Sequence, residues 1–336
     1  MGTIHLSRKA FFNNADYYST LLGDKNKLCM ALKDNAYGHG IEPMGQLCQE
    51  YGIKHTIVRT LDEAHRANPY GFETILILYE IPIKDYPSNY IFAINSIDDI
   101  HNYPANTNVE LKIDTGMGRN GIMPCEIQEA LQFIIERSLN LFGVFTHFCC
   151  ADEQNGKTSQ QEHLFAQCIE QIKQTLLEPF RIHCANSTGA HRIDNTKYDL
   201  GRIGIGMYGY IDLPQFEKNV TAVLSLYAKK ISTRILTKGQ SVGYGATFPI
   251  NDESFTVSNY DIGYGDGFFR LNERKNALIK DGRKILGRIS MDSLSVQGDD
   301  DEICIFDDAT HLAHVHDTIH YEIVTHLSPT LKKVIT

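Results

Sequence analysis

Short apolar, β-branched runs recur along the first two thirds of the chain, at Lys27–Lys33, His55–Arg59, Thr74–Tyr79, Tyr90–Asn95, Val109–Asp114, Leu141–His147, Arg181–Ser187 and Leu200–Tyr210. Between most of them apolar residues return every three to four positions, most clearly at Pro124–Arg137 and Ser159–Leu177, the period of a helix with one buried face. Strands separated by helical crossovers run parallel, because a parallel return needs a crossover. Eight such repeats in about 200 residues predict an α/β fold, an eight-stranded TIM-type (β/α)8 barrel. An open doubly wound sheet alternates in the same way; the count favours the barrel.

From about Ala222 the helical period disappears. Runs at Ala228–Leu236, Phe255–Tyr260, Leu278–Ile279, Lys284–Met291 and Ile303–Phe306 are strand-like and separated by Gly- and Asp-rich turns. The pattern predicts a barrel over 1–221 and a second, mostly-β domain over 222–336, with a helix near His311–Ile319.

Composition narrows the class. The 336 residues suit about two domains of roughly 150 residues each. The chain is 42% hydrophobic and 22% charged, ordinary globular usage. Its net charge of −9 argues against a nucleic-acid protein. The acidic run Asp299-Asp300-Asp301-Glu302 reads as a solvated loop. No apolar stretch reaches the roughly 18 residues of a membrane span, and the N-terminus shows no secretory pattern. Eight cysteines form no CxxC pair, and Cys149 and Cys150 are adjacent. They read as reduced thiols of a cytoplasmic protein.

In a TIM barrel reactive groups stand at the C-terminal ends of strands. Lys33 ends the first run. A lysine there is costly to bury as a charge, and a neutral amine attacks carbonyls, so a Schiff base is one reading; a lysine snorkelling to solvent is the other. Further polar groups end the later runs: Lys112, Asp114 and Arg119 after the fifth, His147 after the sixth, Asn186 and Ser187 after the seventh, Arg202 and Gly204 in the eighth. Polar groups converging on one rim make a site. Ser187 and the backbone around Gly204 and Ile205 fall where this fold favours phosphate. Gly116-Met-Gly118-Arg-Asn-Gly121 is literally a dinucleotide fingerprint, but no acidic residue ends the next strand to take a ribose. The histidines at 311, 314, 316 and 320 match no strong zinc spacing, so no metal is expected.

These residues resemble those of bacterial alanine racemases, pyridoxal-phosphate enzymes of fold-type III. The strongest block is Lys33-Asp-Asn-Ala-Tyr37-Gly-His-Gly40. It is supported by Lys112-Ile-Asp-Thr-Gly-Met-Gly-Arg119, Thr146-His-Phe-Cys-Cys-Ala-Asp152, Asn186-Ser187, Arg202-Ile-Gly-Ile-Gly-Met-Tyr-Gly209, Gly243-Tyr-Gly-Ala-Thr247, Ile262-Gly-Tyr-Gly-Asp-Gly267 and Arg288-Ile-Ser-Met-Asp292. The resemblance implies a barrel followed by a β domain, and interconversion of L- and D-alanine for cell-wall peptidoglycan. It implies that Lys33 carries pyridoxal 5'-phosphate and acts as one base, with Tyr244, from the second subunit of a head-to-tail homodimer, as the other. Arg202 would face the pyridine nitrogen and His147 the cofactor ring. Tyr37, Asn186, Ser187, Gly204, Ile205 and Tyr321 would complete the cofactor site. Arg119 and the Met291 backbone would take the substrate carboxylate. Lys112, carbamylated in some members, His183 as a partner of Arg202, and Asp292 would support these groups. Asp152, Tyr264, Arg270, Arg288 and Ile319 would line the access corridor. A broad-specificity racemase, acting for example on serine, and a fold-type III decarboxylase are the alternatives. The decarboxylase needs a C-terminal catalytic cysteine, and the surroundings of Cys304 do not resemble that motif. After Tyr321-Glu322 the family's basic segment is replaced by Pro329-Thr-Leu-Lys-Lys333.

Overall fold

A computed structural model of the chain describes residues 2–82, 85–270 and 276–336. The strands in chain order are β1 (Thr3–Leu6), β2 (Leu28–Ala31), β3 (His55–Val58), β4 (Thr74–Ile77), β5 (Tyr90–Ile94), β6 (Asn108–Lys112), β7 (Asn140–Phe145), β8 (Arg181–His183), β9 (Gly201–Ile203), β10 (Leu224–Leu236), β11 (Ser241–Val242), β12 (Phe248–Pro249), β13 (Phe255–Tyr260), β14 (Leu294–Gln297), β15 (Glu302–Phe306) and β16 (Lys332–Ile335). They fall into two units, one of residues 11–34 and 44–221, the other of residues 1–10, 35–43 and 222–336.

The first unit is the expected barrel. Eight strands lie in the order β8-β7-β6-β5-β4-β3-β2-β9, each pair parallel. A parallel bridge from His183 to Leu200, the residue before β9, closes the ring. The two clearest periodic segments are helices. Ile127–Glu136 buries Ile127, Ala130, Leu131 and Ile134, and Lys157–Thr175 buries Phe165, Cys168, Ile169 and Ile172, each set one helical stripe. Helix Leu61–Ala67 starts at Thr60, whose side chain accepts from Glu63 N–H, while Glu63 returns to Arg59 N–H at 2.8 Å. Helix Arg8–Leu22 leads into β2 and helix Ile41–Tyr51 lies between β2 and β3, while some other connections are short 3-10 turns, such as Ile100–Asn102 and Gly189–His191. The last predicted run is strand only at Gly201–Ile203; its glycines turn the chain away afterwards.

The second unit is built on β10, thirteen residues long. Its first part pairs with β1 and β15, and its later part with β13. Register shifts between Leu226 and Tyr227 and between Lys230 and Ser232 mark irregularities of the kind that bend a strand and let it serve two partners in turn. β1 also pairs in parallel with β16, joining the two ends of the chain in one sheet. Val242 of β11, Ile250, Val257 of β13 and Leu286 form an apolar cluster. The predicted runs at Leu278–Ile279 and Lys284–Met291 contribute only single bridges, Leu278 to Lys284 and Ile285 to Val296. The predicted helix begins at Thr310 and ends at His316.

Candidate active site

Lys33 follows β2 directly. Its side chain is about a third exposed (36%), and Nζ stands 3.3 Å from the Asp34 carboxylate. An ion pair at the rim therefore holds this amine, rather than burial. The next four residues, Asp34 to Tyr37, have φ of 54°, 53°, 54° and 51°, one turn of left-handed helix. Each such non-glycine residue costs roughly 1–2 kcal/mol, and strain of this kind survives only where hydrogen bonds over-determine it, commonly at functional sites. Here Gly40 N–H reaches Asn35 O at 2.9 Å and His39 N–H reaches Ala36 O at 3.0 Å.

At the end of β6, Lys112 is 5% exposed. Burial, reinforced by Arg119 and Arg202, lowers its pKa to about 8. Beyond it the chain winds around the Asp114 carboxylate, which accepts from Gly116 and Met117 N–H at 2.8 Å each and from Arg119 N–H at 3.0 Å. Burial works to raise this carboxyl, but the backbone amides hold it below the usual range. Gly116, Gly118 and Gly121 all have positive φ, so the spacing that imitates a dinucleotide motif is what this tight loop requires. The loop fixes the base of Arg119, whose side chain is exposed.

His147 follows β7 and is half-buried. Burial, then the positive Arg202, Arg119, Lys112 and Lys33, push its pKa well down, leaving a neutral imidazole. Gln161, from helix Lys157–Thr175, donates to His147 O at 3.2 Å and accepts from Cys149 N–H at 3.0 Å. Thr115 and Thr146 hydroxyls meet at 2.8 Å, so the two rim loops are tied together. Asp152, further along, is exposed.

Inside the barrel a chain of charges lies beneath these groups. Arg202 Nη1 donates to His183 Nδ1 at 2.6 Å, and Arg202 Nη2 donates to Thr146 O at 2.6 Å. A guanidinium has no acceptor, so the His183 proton sits on Nε2, where it donates to Glu110 Oε2 at 2.9 Å. Burial lowers the His183 pKa to about 4 despite Glu110, in accord with a neutral ring. Arg181 Nε donates to the other Glu110 oxygen, and Arg181 Nη1 to Thr74 Oγ1 at 2.9 Å. Burial works to raise Glu110, but Arg181 and His183 bring it to about 2. The Phe145 ring stacks on His183 with centroids 5.1 Å apart and also lies under Arg202.

Ser187 Oγ accepts from Gly204 N–H at 3.0 Å and Gly206 N–H at 3.1 Å. With both accepting positions used, its own proton remains as a donor. This fixes the backbone through Ile205. Asn186 Oδ1 accepts from Gly189 N–H at 2.7 Å and so shapes the turn behind Ser187.

The C-terminal unit holds the remaining expected residues. Tyr37 and Tyr321 rings lie 5.9 Å apart. Tyr244 is 60% exposed on a turn between Gly243 (φ 79°) and Gly245 (φ 73°). A side chain at Gly243 would come within 3.1 Å of the Arg288 backbone, so the turn lies directly on Arg288. A second glycine turn packs on the segment before Asp292: Tyr264 N–H reaches Ser290 O at 3.1 Å and Gly265 N–H reaches Met291 O at 2.8 Å. Tyr264, Met291 and Ile319 are exposed, as are Arg270 and Asp292. His311 and His316 sit on helix Thr310–His316; His311 accepts from Leu278 N–H at 3.1 Å. Among the described residues no three His, Cys, Asp or Glu side chains converge as a metal site would need, and no helix is long and apolar enough to cross a membrane.

Sequence reading at strand ends passes over Glu110, Arg181 and Gln161. The first two carry a signal: Glu110 stands two residues before Lys112 and Arg181 two before His183, hence on the same strand faces. Gln161 carries none, because its partners are far along the chain.

Comparison with known proteins agrees with this inventory. Residues 6–212 match the family "Alanine racemase, N-terminal domain" and residues 223–335 "Alanine racemase, C-terminal domain". An alanine racemase of Nitratiruptor sp. is 41% identical, covering 98% of this chain and 99% of its own length; one of Campylobacter concisus is 38% identical, covering 99% of each. The crystal structure of alanine racemase from D-cycloserine-producing Streptomyces lavendulae superposes with a TM-score of 0.85 at 25% identity, over 100% of this chain and 97% of that one. Both domains, in order and over their full length, therefore place this chain in the alanine racemase family, as an amino-acid racemase.

Proposed function

We propose that this chain interconverts L- and D-alanine by moving the Cα proton between two bases on opposite faces of the substrate, Lys33 and Tyr244 of the partner subunit. Two bases do this without turning the substrate over. The exposed tyrosine on its glycine-framed turn, with Tyr264, Met291 and Ile319 also exposed, supports a head-to-tail homodimer that covers this surface. The eight free thiols support a reducing, cytoplasmic setting, with D-alanine going to cell-wall peptidoglycan.

Alanine racemases as a family depend on pyridoxal 5'-phosphate, and the barrel's donor set fits that group. The Lys33 amine can hold its aldehyde carbon, the Ser187 proton with the backbone at Gly204 and Ile205 can meet its phosphate, and neutral His147 can lie against its ring. When bound, the cofactor supplies the electron sink for a substrate carbanion. Arg202, held by His183 and Thr146, is a donor only and cannot take a proton from a ring nitrogen that it faces. Arg119 takes the substrate carboxylate. Lys112, with its pKa lowered to about 8, has a fraction of neutral amine able to add carbon dioxide and release one proton to solvent, becoming a carbamate, an anion that would orient Arg119.

The observation that carries this reading is the Lys33 amine directly after β2, with the buried Arg202 guanidinium in the adjoining β9 and the Ser187 hydroxyl following β8. The test is L-alanine with the purified holoenzyme in D2O. The expected product is D-alanine deuterated at Cα, and borohydride treatment should leave the cofactor fixed to the Lys33 peptide. Release of carbon dioxide, or cofactor fixed elsewhere, would overturn the assignment. Comparable turnover of L-serine would mark a broader racemase.

A further inference from the structure

The rim segment after His147 carries two thiols that the proposed reaction does not use. Cys149 and Cys150 are adjacent, both are half-buried, and their sulfurs stand 3.2 Å apart. Their backbone is held from both sides. Cys149 N–H donates to Gln161 Oε1 at 3.0 Å, and Cys150 O accepts from the Thr158 hydroxyl at 3.2 Å. The pair is thus presented as a preorganised unit, which lowers the entropic cost of engaging both sulfurs at once.

The spacing discriminates among possible uses. A direct disulfide is disfavoured: neighbouring Cα atoms are about 3.8 Å apart, short of the roughly 4.4–6.8 Å that disulfides span. Two thiolates on tetrahedral zinc stand about 3.8 Å apart, given bonds of about 2.3 Å, and no third ligand converges here among the described residues. A pyramidal trivalent centre with a near-right bond angle and bonds of similar length brings its sulfurs to about 3.3 Å, close to the separation present. Soft thiolates also select such thiophilic centres.

We propose that Cys149 and Cys150 form a dithiol capture site for monosubstituted trivalent arsenicals. Two arsenic–sulfur bonds form, the arsenic–oxygen double bond breaks, and the two S–H protons leave with that oxygen as one water. Arsenic stays trivalent, so no oxidant is needed. Burial and the neighbouring thiol raise the Cys149 pKa, which is compatible with this route because the thiols enter protonated. Gln161 links Cys149 N–H to His147 O, so clamping the sulfurs also stiffens the segment that bears His147.

The test titrates the holoenzyme with phenylarsine oxide and reads intact mass, free thiols and the modified peptide. The expected result is one arsenical per chain at low concentration, two thiols lost with it, and the adduct on the peptide containing 149 and 150. 2,3-Dimercaptopropanol should strip it, and excess 2-mercaptoethanol should not. Cys149→Ser and Cys150→Ser should each weaken capture on the order of 10²-fold, the loss of the second, intramolecular bond. Cys125→Ser, which removes an exposed single thiol, should bind as the parent does. An adduct mapping to Cys125 or Cys304, removal by the monothiol, or undiminished capture by folded Cys149→Ser would overturn the proposal. The mapping and stripping use the unmutated protein and no racemisation readout, so they stand apart from the proposed reaction.

Discussion

In the barrel unit Arg202, His183 and Ser187 are 5%, 0% and 4% exposed, and each is fixed by hydrogen bonds within the same unit. In the C-terminal unit Tyr244, Met291 and Ile319 are 60%, 55% and 58% exposed, on segments shaped by glycines and backbone contacts. The first arrangement is complete inside one chain: its polar groups are already hydrogen-bonded, aimed and buried. The second presents groups outward with no such enclosure. A chain that preorganises one set and displays the other separates placement, done by the barrel, from delivery, left to exposed turns. The difference also separates what mutation should damage: stability at buried groups such as Glu110, chemistry at exposed ones such as Tyr244.

The largest expected effect tests delivery. Lys33→Ala and Tyr244→Phe should each lower racemisation at least about 10³-fold, within the range for losing a positioned base. If Tyr244 of the partner subunit completes the site, mixing the two inactive variants restores activity. With equal amounts and free exchange, half the dimers are mixed and each has one intact site, giving about a quarter of the parent activity for a symmetric pair. A mixture that stays inactive, with exchange shown by mass spectrometry, would mean that each tyrosine serves its own chain.

The next effect tests placement. Glu110→Gln leaves Arg181 without its carboxylate inside the barrel, a loss of about 3–5 kcal/mol for one partner of a buried pair, read from the urea midpoint. Tyr244→Phe, on the exposed turn, should stay within about 0.5 kcal/mol. The pH dependence has a definite sign. The folded values of Glu110, about 2, and His183, about 4, both lie below their unfolded values of about 4.3 and 6.5. The unfolded chain binds more protons in that window, so stability is full above it and falls on acidification. The fall should begin near pH 6.5 with His183, steepen below about pH 5 with Glu110, and be complete near pH 2. Glu110→Gln should remove the lower part of that fall; an unchanged acid limb would show that the carboxylate does not carry it.

The barrel was legible because its signal is local. Runs such as Ile75–Leu78 and Ile91–Ile94 are apolar on both faces, and the clearest helices carry one stripe each, so period and length suffice. The sheet of the C-terminal unit was only partly legible. The pairing of Thr3–Leu6 with Lys332–Ile335 joins residues more than 300 positions apart, and nothing in either short segment specifies the other. Leu278–Ile279 has the composition of a strand, but pairing partners decide whether such a run becomes one. In the site, Lys33 and Ser187 were found just after strand-like runs or at their ends, where the fold puts reactive groups, and Arg202 within the eighth run. The support from Glu110 and Arg181 was missed because attention to strand ends skips the inward residue two positions earlier. The left-handed turn after Lys33 had no signature: Asp34, Asn35, Ala36 and Tyr37 are not glycines, and only surrounding hydrogen bonds hold them there.

A smaller effect sharpens the barrel side. Ser187→Ala removes the acceptor for Gly204 and Gly206 N–H. Each buried donor left unmatched costs about 1–3 kcal/mol, and the outward hydroxyl is lost as well. Pyridoxal phosphate should bind at least about 10-fold more weakly by equilibrium dialysis, a change of about 1.4 kcal/mol. Unaltered retention would detach Ser187 from the phosphate.

The smallest effect sets one glycine of each unit against the other. An added Cβ at Gly206 would stand 2.0 Å from the Tyr18 hydroxyl oxygen and 2.4 Å from its ring carbon, whereas one at Gly239 would meet nothing within 4 Å. Tyr18 is fully buried, so Gly206→Ala is an overpacking change of about 1–3 kcal/mol. Gly239 has φ of 91°, so Gly239→Ala bears only a backbone cost, about 1 kcal/mol. Tyr18→Phe separates the two mechanisms. It removes the nearer atom and leaves the ring, so it should recover part of the Gly206→Ala loss and none of the Gly239→Ala loss, with a coupling of at least about 0.5 kcal/mol in the first pair. Equal, purely additive losses at both glycines would mean that the barrel behind Ser187 yields as readily as an exposed turn, and the contrast between a locked unit and a displaying one would fail at its tightest point.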